Sequence, residues 1–374
     1  MAGIYVHIPF CTQSCYYCDF HFSTSKKTKK IVIDAIQQEL IVQKKYFKTE
    51  NVHTIYFGGG TPSSIDLDSI EGILNSINKL FKINKGVEIT IEANPEDVSP
   101  KIVERWSSIG INRVSLGVQS LRNKDLKYMN RIHDKNQAMV AIDVLRSYID
   151  NVSVDLIYGF PLLDNRSWLN NLEYIAGRGI QHVSCYCLTV EKNTPLSHFI
   201  KQGKYKSLDS ELGKKQFLIA RKFLIDNGYD HYEISNFSKP GFESKHNQNY
   251  WNRSIYLGVG PSAHSFNGRI RHWNISNNIL YSQKISQKKI YYTEEKLTAK
   301  NIINEQILTG LRTKWGLGLG AIKHNINNKD WELFSRRVIL LESDKLLKIK
   351  NNTIYLTEKG MLTSDSISAN LFLI

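Results

Sequence analysis

The sequence predicts an α/β chain, an open or partial (β/α)6 barrel followed by a small winged-helix-like α+β domain at the C-terminus. Three observations lead there. Six short β-branched, apolar runs alternate with segments of helical spacing over residues 1–235; unusual glycines, carboxylates and prolines collect at the C-terminal ends of those runs; and the pattern changes to helices plus a hairpin from residue 293 onward.

The six runs are IYVHIPF (4–10), HTIYFGGG (53–60), VEITIEANP (87–95), RVSLGVQS (113–120), NVSVDLIYGFP (151–161) and HVSCYCLTV (182–190). Each reads as a buried parallel strand. Residues 31–47, 67–81, 137–149 and 211–227 carry apolar side chains at helical spacing. Six units fit an incomplete barrel better than a closed one of eight, with a doubly wound sheet as the other arrangement that such alternation allows. Gly58 to Pro62, Glu92 to Pro95, Gln119 and Asp155 to Pro161 fall at or just beyond strand C-termini, where both architectures hold ligands.

Residues 236–292 lose any clean period and are rich in Asn, Gly, Ser, His and aromatics, which predicts a loop-dominated segment packed on the barrel. Within 293–374, helices are expected in 294–313 and 329–346, followed by a hairpin turning at Asn351-Asn352.

With 374 residues and 41% hydrophobic content the chain can bury a sizeable core. Its start lacks a basic region followed by a long apolar run, and no stretch is long and apolar enough to span a bilayer, so a cytoplasmic location is the expectation. The net charge of +14 favours anionic partners and allows transient contact with a membrane surface. Lys26 to Lys30 (KKTKK) is read as a solvated lead-in to a helix, without the interleaved aromatics of a single-strand binding platform.

Three of the five cysteines stand within eight positions, Cys11-Thr-Gln-Ser-Cys15-Tyr-Tyr-Cys18, directly after the first strand. That is no secreted disulfide framework. Three thiolates on so short a loop suit a 4Fe-4S cube with one unligated iron. A zinc site is the alternative, with His7, Asp19 or His21 as fourth ligand. Cys185 and Cys187 alternate with bulky residues and are expected to be core side chains on one strand face. Gly58-Gly59-Gly60-Thr61-Pro62 ends the second strand, where consecutive glycines let the backbone approach a small amine and carboxylate.

Taken with that loop, these motifs resemble the radical S-adenosylmethionine superfamily, whose signature is CX3CX2C after the first strand of a partial barrel and a GGGTP-like element after the second. The resemblance covers nearly the whole chain. YVHIPFCTQSCYYCDF, IYFGGGTP, IEANPEDV, RVSLGVQS, LKYMNRIH and VDLIYGFP are similar to the oxygen-independent coproporphyrinogen III oxidase (HemN) branch and the related haem-chaperone (HemW) family. The resemblance implies a cluster on Cys11, Cys15 and Cys18. It also implies S-adenosylmethionine on the open iron, touched by Tyr5, Gly59, Gly60, Thr61, Glu92, Gln119, Arg131 and Asp155. Apart from it, Glu92 and Asp155 read equally well as helix caps or as partners of Arg131.

Two departures from the oxidase pattern stand out: Phe20 occupies the position of that enzyme's fourth cysteine, and the oxidase's N-terminal extension has no counterpart. His246-Asn247-Gln248-Asn249-Tyr250-Trp251 matches the HNxxYW motif of the chaperone branch. His246, Tyr250 and Trp251 are therefore expected at a haem site, an imidazole for iron and aromatic rings for the porphyrin face. Without the resemblance this hexapeptide reads as a polar loop with an aromatic anchor. His264 and His272 are competing iron ligands, and His53, His133, His182 and His231 are expected to be structural.

The leading expectation is a haem carrier that serves haem-acceptor proteins, a monomer or homodimer, and not necessarily a catalyst. Porphyrinogen decarboxylation is the alternative. Radical modification of tRNA, suggested by charge and the winged-helix-like tail, is disfavoured because KDWELFSRRVILLESDKL mixes both charge signs.

Overall fold

A computed structural model describes residues 2–47 and 51–373 of the chain. Six parallel strands follow one another in sequence order: β1 (Ala2–Ile8), β2 (Val52–Gly59), β3 (Ile83–Ala93), β4 (Arg113–Gln119), β5 (Asn151–Tyr158) and β6 (His182–Cys187). All six expected strands are present, and the expected helices appear at Lys29–Gln43, Leu67–Leu80, Lys135–Tyr148 and Ser210–Asp226.

The period-2 pattern of these strands sorts side chains onto two faces. Ile4, Val6 and Ile8, then Ile55 and Phe57, then Ile89 and Ile91 enter the hydrophobic core beneath the helices. The alternate positions are polar: Tyr5 and His7, Thr54 and Tyr56, Glu88 and Glu92, Arg113 and Ser115, Ser153 and Asp155. In-register pairing sets Tyr5 beside Tyr56, Tyr56 beside Thr90, and Thr90 beside Arg113, so the concave interior of the sheet is a layered polar surface. Arg113 is buried there and holds positive charge against Glu92 and Asp155.

The sheet does not close. It continues past β6 into β8 (Asn236–Ser238) and β7 (Asp230–Glu233). Past β1 it continues into β9 (Tyr256–Val259), β10 (His264–Phe266), β11 (Ile270–Asn274) and β12 (Tyr292–Lys296), making 12 strands with β7 and β12 at the edges. The segment 236–292, expected as loops, is thus largely short strands and helices that extend the sheet. These strands are three to five residues long, too short for periodicity to register. Likewise the helix expected within 294–313 starts only at Ala299, because Tyr292–Lys296 first pairs with β11.

Beyond it, Ala299–Leu311 and Asn328–Ser343 pack on a small sheet of order β13 (Leu317–Gly318), β15 (Thr353–Leu356), β14 (Leu347–Lys350), with its own apolar cluster around Ile307, Phe334 and Ile354. Asn351 and Asn352 turn the hairpin with positive φ at both positions, as expected. This unit is stitched to β7 by backbone bonds from Ile234 N to Arg312 O at 3.0 Å and from Lys314 N to Tyr232 O at 2.9 Å. Among the described residues no helix is long and apolar enough to cross a membrane.

Candidate cluster and cofactor pocket

The C-terminal ends of β2 to β6 and the loop after β1 enclose a cavity of about 470 Å³. Its walls carry Cys11, Cys15 and Cys18 together with Gly59, Gly60, Thr61, Glu92, Gln119, Arg131 and Asp155. Widely separated motifs thus converge on one space, of a size suited to a nucleoside-bearing ligand. Tyr5 lies outside this lining; its hydroxyl bonds to His7 Nδ1 at 3.1 Å, one strand-layer below.

Backbone pairing fixes the cysteine loop at its ends and centre. Ser23 N donates to Pro9 O at 2.9 Å and Cys11 N to Ser23 O at 3.1 Å, closing the loop, while Tyr16 N donates to Met129 O at 3.2 Å. Asn130, held at positive φ, supports the middle: its Nδ2 donates to Ser14 O at 2.7 Å and its carbonyl accepts Gln13 Nε2 at 2.8 Å. The LKYMNRIH segment is therefore a cradle for the loop.

The glycine triplet serves the same assembly. Gly60 N donates to Ile8 O at 2.9 Å and Thr61 N to Phe10 O at 2.7 Å. A Cβ on Gly60 would stand 2.8 Å from backbone atoms of Ile8 and Phe10, and Gly59 adopts φ 107°. Only glycine lets GGGTP lie against the chain that enters the cysteine loop.

Sulfur is met by donors: Thr61 Oγ1 lies 3.4 Å from Cys11 Sγ, and Arg131 NH1 lies 3.3 Å from Cys15 Sγ. Arg131 NH2 is fixed by Asn94 Oδ1 at 2.5 Å and Gly117 O at 2.9 Å, while its Nε is buried without a partner. Burial pushes the Cys11 thiol up to about 11 and Cys18 to about 12. A cationic centre bound by these thiols would have to displace their protons.

Of the candidate fourth ligands for zinc, the two histidines are engaged elsewhere, whereas Asp19 lines the cavity. Both His7 nitrogens are engaged, by Tyr5 and by His21 O, and His21 Nε2 bonds Asn278. Among the described residues no three His, Cys, Asp or Glu side chains are grouped to hold a single metal ion. A cube held by three cysteines fits this pocket, and when bound it would supply an electron to a ligand on its open iron.

Opposite the cysteines, Glu92 accepts from Tyr56 OH at 2.8 Å and Gly59 N at 3.1 Å, and burial raises it to about 7. Asp155 accepts from Ser115 Oγ at 3.1 Å and is raised by burial. Gln119 sits at φ 63°, a strained conformation for a non-glycine residue, at the cavity wall. Asn94, Ser115 and Tyr17 also line the cavity; sequence reading missed them, although Asn94 sits inside the IEANP motif.

Cys185 and Cys187 differ from expectation. Cys185 is buried in the core, but Cys187 is exposed and lines the cavity, because β6 leaves the core between them.

His246, Tyr250 and Trp251 lie apart from the cavity, on the helix Lys245–Trp251. Its N-terminus is capped by Glu88, which accepts from Lys245 N at 3.1 Å and His246 N at 3.0 Å. His246 is 1% exposed; Nδ1 bonds Thr54 Oγ1 at 2.8 Å and Nε2 bonds Tyr250 OH at 3.0 Å. Burial depresses it to about 3, so the imidazole is neutral. Trp251 lies under Arg312 at 5.5 Å, at the seam with the C-terminal unit. His133, His182 and His231 have both ring nitrogens engaged, and His53 bonds Asn84.

A family model of the radical SAM superfamily matches residues 5–181, and one of the HemN C-terminal domain matches residues 297–363. Over 366 residues, 97% of this chain and 95% of the relative, it is 32% identical to the Heme chaperone HemW of Lactococcus lactis subsp. lactis. The chain belongs to the HemW family. A second member, the Heme chaperone HemW of Bacillus subtilis, is 29% identical over 372 residues, 98% of each chain. Coproporphyrinogen III oxidase (HemN) from Escherichia coli, a radical SAM enzyme, superposes with a TM-score of 0.81 over 99% of this chain and 90% of that one; at 23% identity this likeness speaks for the fold. In this HemW family member the cysteine loop, GGGTP and the strand-end carboxylates all lie inside the radical SAM match.

Proposed function

We propose that this chain is a haem chaperone: it binds haem, carries a 4Fe-4S cluster on Cys11, Cys15 and Cys18 with S-adenosylmethionine at the open iron, and passes haem to acceptor proteins in the cytoplasm. The observation that carries this reading is the end-to-end similarity to chains named as haem chaperones. Phe20 supports it: where the oxidase has a further cysteine, this chain has a phenyl ring that is 68% exposed at the cavity rim. An exposed aromatic cannot ligate iron, but it offers apolar surface to a flat hydrophobic ligand.

In this conformation His246 has no nitrogen to offer iron. Ligation by it requires Tyr250 to leave Nε2 or Thr54 to leave Nδ1, so haem uptake through His246 is a rearrangement and not a simple docking. The net charge of +14 complements the propionates.

The oxidase alternative makes a distinct demand. Incubated anaerobically with reductant, S-adenosylmethionine and coproporphyrinogen III, the cluster-containing protein is expected to yield no protoporphyrinogen. Decarboxylation at the rate of a working enzyme, about 1 per second or faster, would replace the chaperone reading with the oxidase one.

A further inference from the structure

The HNQNYW helix and the cofactor pocket are joined by one side chain, Tyr56. Its ring stacks on the imidazole of His246, with centroids 4.9 Å apart and 28° between planes, and its hydroxyl donates to Glu92 Oε1 at 2.8 Å. Glu92 Oε2 in turn accepts from Gly59 N at 3.1 Å and faces the cavity. On the far side His246 is locked by Thr54 and Tyr250, and the helix that carries it is capped by Glu88. Gly3 admits this packing: a Cβ there would stand 2.6 Å from Thr54 Oγ1 and 3.3 Å from His246 Cε1.

We propose that the HNQNYW helix supports the cofactor pocket from outside its wall, with Tyr56 as the positioning residue through which His246 sets the orientation and charge of Glu92. The inference rests on the reading of this cavity as the S-adenosylmethionine site. Physically, a buried tyrosine hydroxyl aimed at a carboxylate favours its ionised form, and the stacked imidazole removes the rotamers that would turn the hydroxyl away. A neutral, fully hydrogen-bonded histidine suits that task, since it adds no charge beneath the carboxylate. The other groups that act on Glu92 are Asp155 from β5, Arg113 from β4, Tyr5 from β1, Tyr250 from the helix and Cys11 from the loop. The Tyr56 hydroxyl, Gly59 N and Arg113 favour the ionised carboxylate, while burial and Asp155 oppose it.

The test uses the full chain, reconstituted anaerobically with its cluster, and S-adenosylmethionine binding by equilibrium dialysis between pH 6 and 9. Tyr56→Phe keeps the stack and removes the hydroxyl. It is expected to leave iron content unchanged, weaken binding about 10-fold at pH 7, as loss of a hydrogen bond to a charged group does, and move the acid limb of the binding profile to higher pH. His246→Ala, which removes the stack, is expected to shift the limb in the same direction. A structural defect alone would lower binding equally at every pH. Wild-type affinity and an unmoved acid limb in Tyr56→Phe would overturn the inference, and this variant decides even where His246→Ala fails to fold. Absence of binding in the wild type itself would instead remove the cofactor reading on which the inference stands.

Discussion

Replacing Cys11, Cys15 and Cys18 together with serine is expected to abolish iron and sulfide incorporation during anaerobic reconstitution, while the chain stays folded. The loop brings three thiols and the Asp19 carboxylate to this cavity, and of these the thiols are the donors that suit iron and sulfide, while His7 and His21 are committed elsewhere. Serine preserves size, and the loop is anchored by backbone bonds at Cys11, Ser23 and Tyr16 that do not involve sulfur. Iron and sulfide analysis with the charge-transfer absorption of the cluster checks this, and circular dichroism checks the fold. Retention of stoichiometric iron would mean that the cluster is held by other residues.

The second large effect is on stability. Glu39 is fully buried in the helix Lys29–Gln43 and accepts from Gly260 N at 2.8 Å, Asn274 Nδ2 at 2.8 Å and Tyr281 OH at 2.5 Å. It therefore ties the first helix to the strands that extend the sheet beyond β1. Glu39→Ala leaves three buried donors unpaired, each worth about 1–3 kcal/mol, so a loss of roughly 3–5 kcal/mol is expected once water relieves part of it. Denaturant titration measures it; a loss below about 1 kcal/mol would show that the network is not what holds these elements together.

Burial raises Glu39 to about 7, which fixes the sign of its pH dependence. The native state keeps the proton where the unfolded chain has already lost it. The stability from this proton is complete below the unfolded carboxyl range and is lost as pH rises through about 7. The margin by which wild type exceeds Glu39→Gln is accordingly expected to narrow between about pH 5 and pH 7.

The parts of the fold that could be read from sequence are those whose burial imposes a period. The strands β1 to β6 announce themselves because Ile4, Val6 and Ile8, or Ile89 and Ile91, alternate with polar residues that line the concave face. Short strands such as Asn236–Ser238 and His264–Phe266 carry too few residues for any period, and they gain their place only by pairing with an existing edge. That Cys11, Cys15 and Cys18 share one loop was legible because cysteine spacing is a local property, and the structure places all three at the cavity wall.

The role of His246 was not legible, because residue type says nothing about where its nitrogens point. Thr54, nearly two hundred residues away, and Tyr250 decide that. Tyr56, Glu88 and Arg113 escaped notice for a related reason: each looks like an ordinary polar position of an alternating strand until the sheet curves and buries them together. Cys187 shows the converse, a thiol assigned to the core by its spacing from Cys185 that emerges where β6 runs out into the cavity.

Haem delivery by this chain can be followed directly. The cluster-containing protein is loaded with haem, freed of excess by gel filtration, and mixed with a haem-free b-type haem protein while the Soret region is followed after the two are separated. Haem is expected to co-elute with this chain before mixing and with the acceptor afterwards. Failure to retain haem through filtration, or retention with no transfer above the rate of spontaneous haem loss, would contradict it.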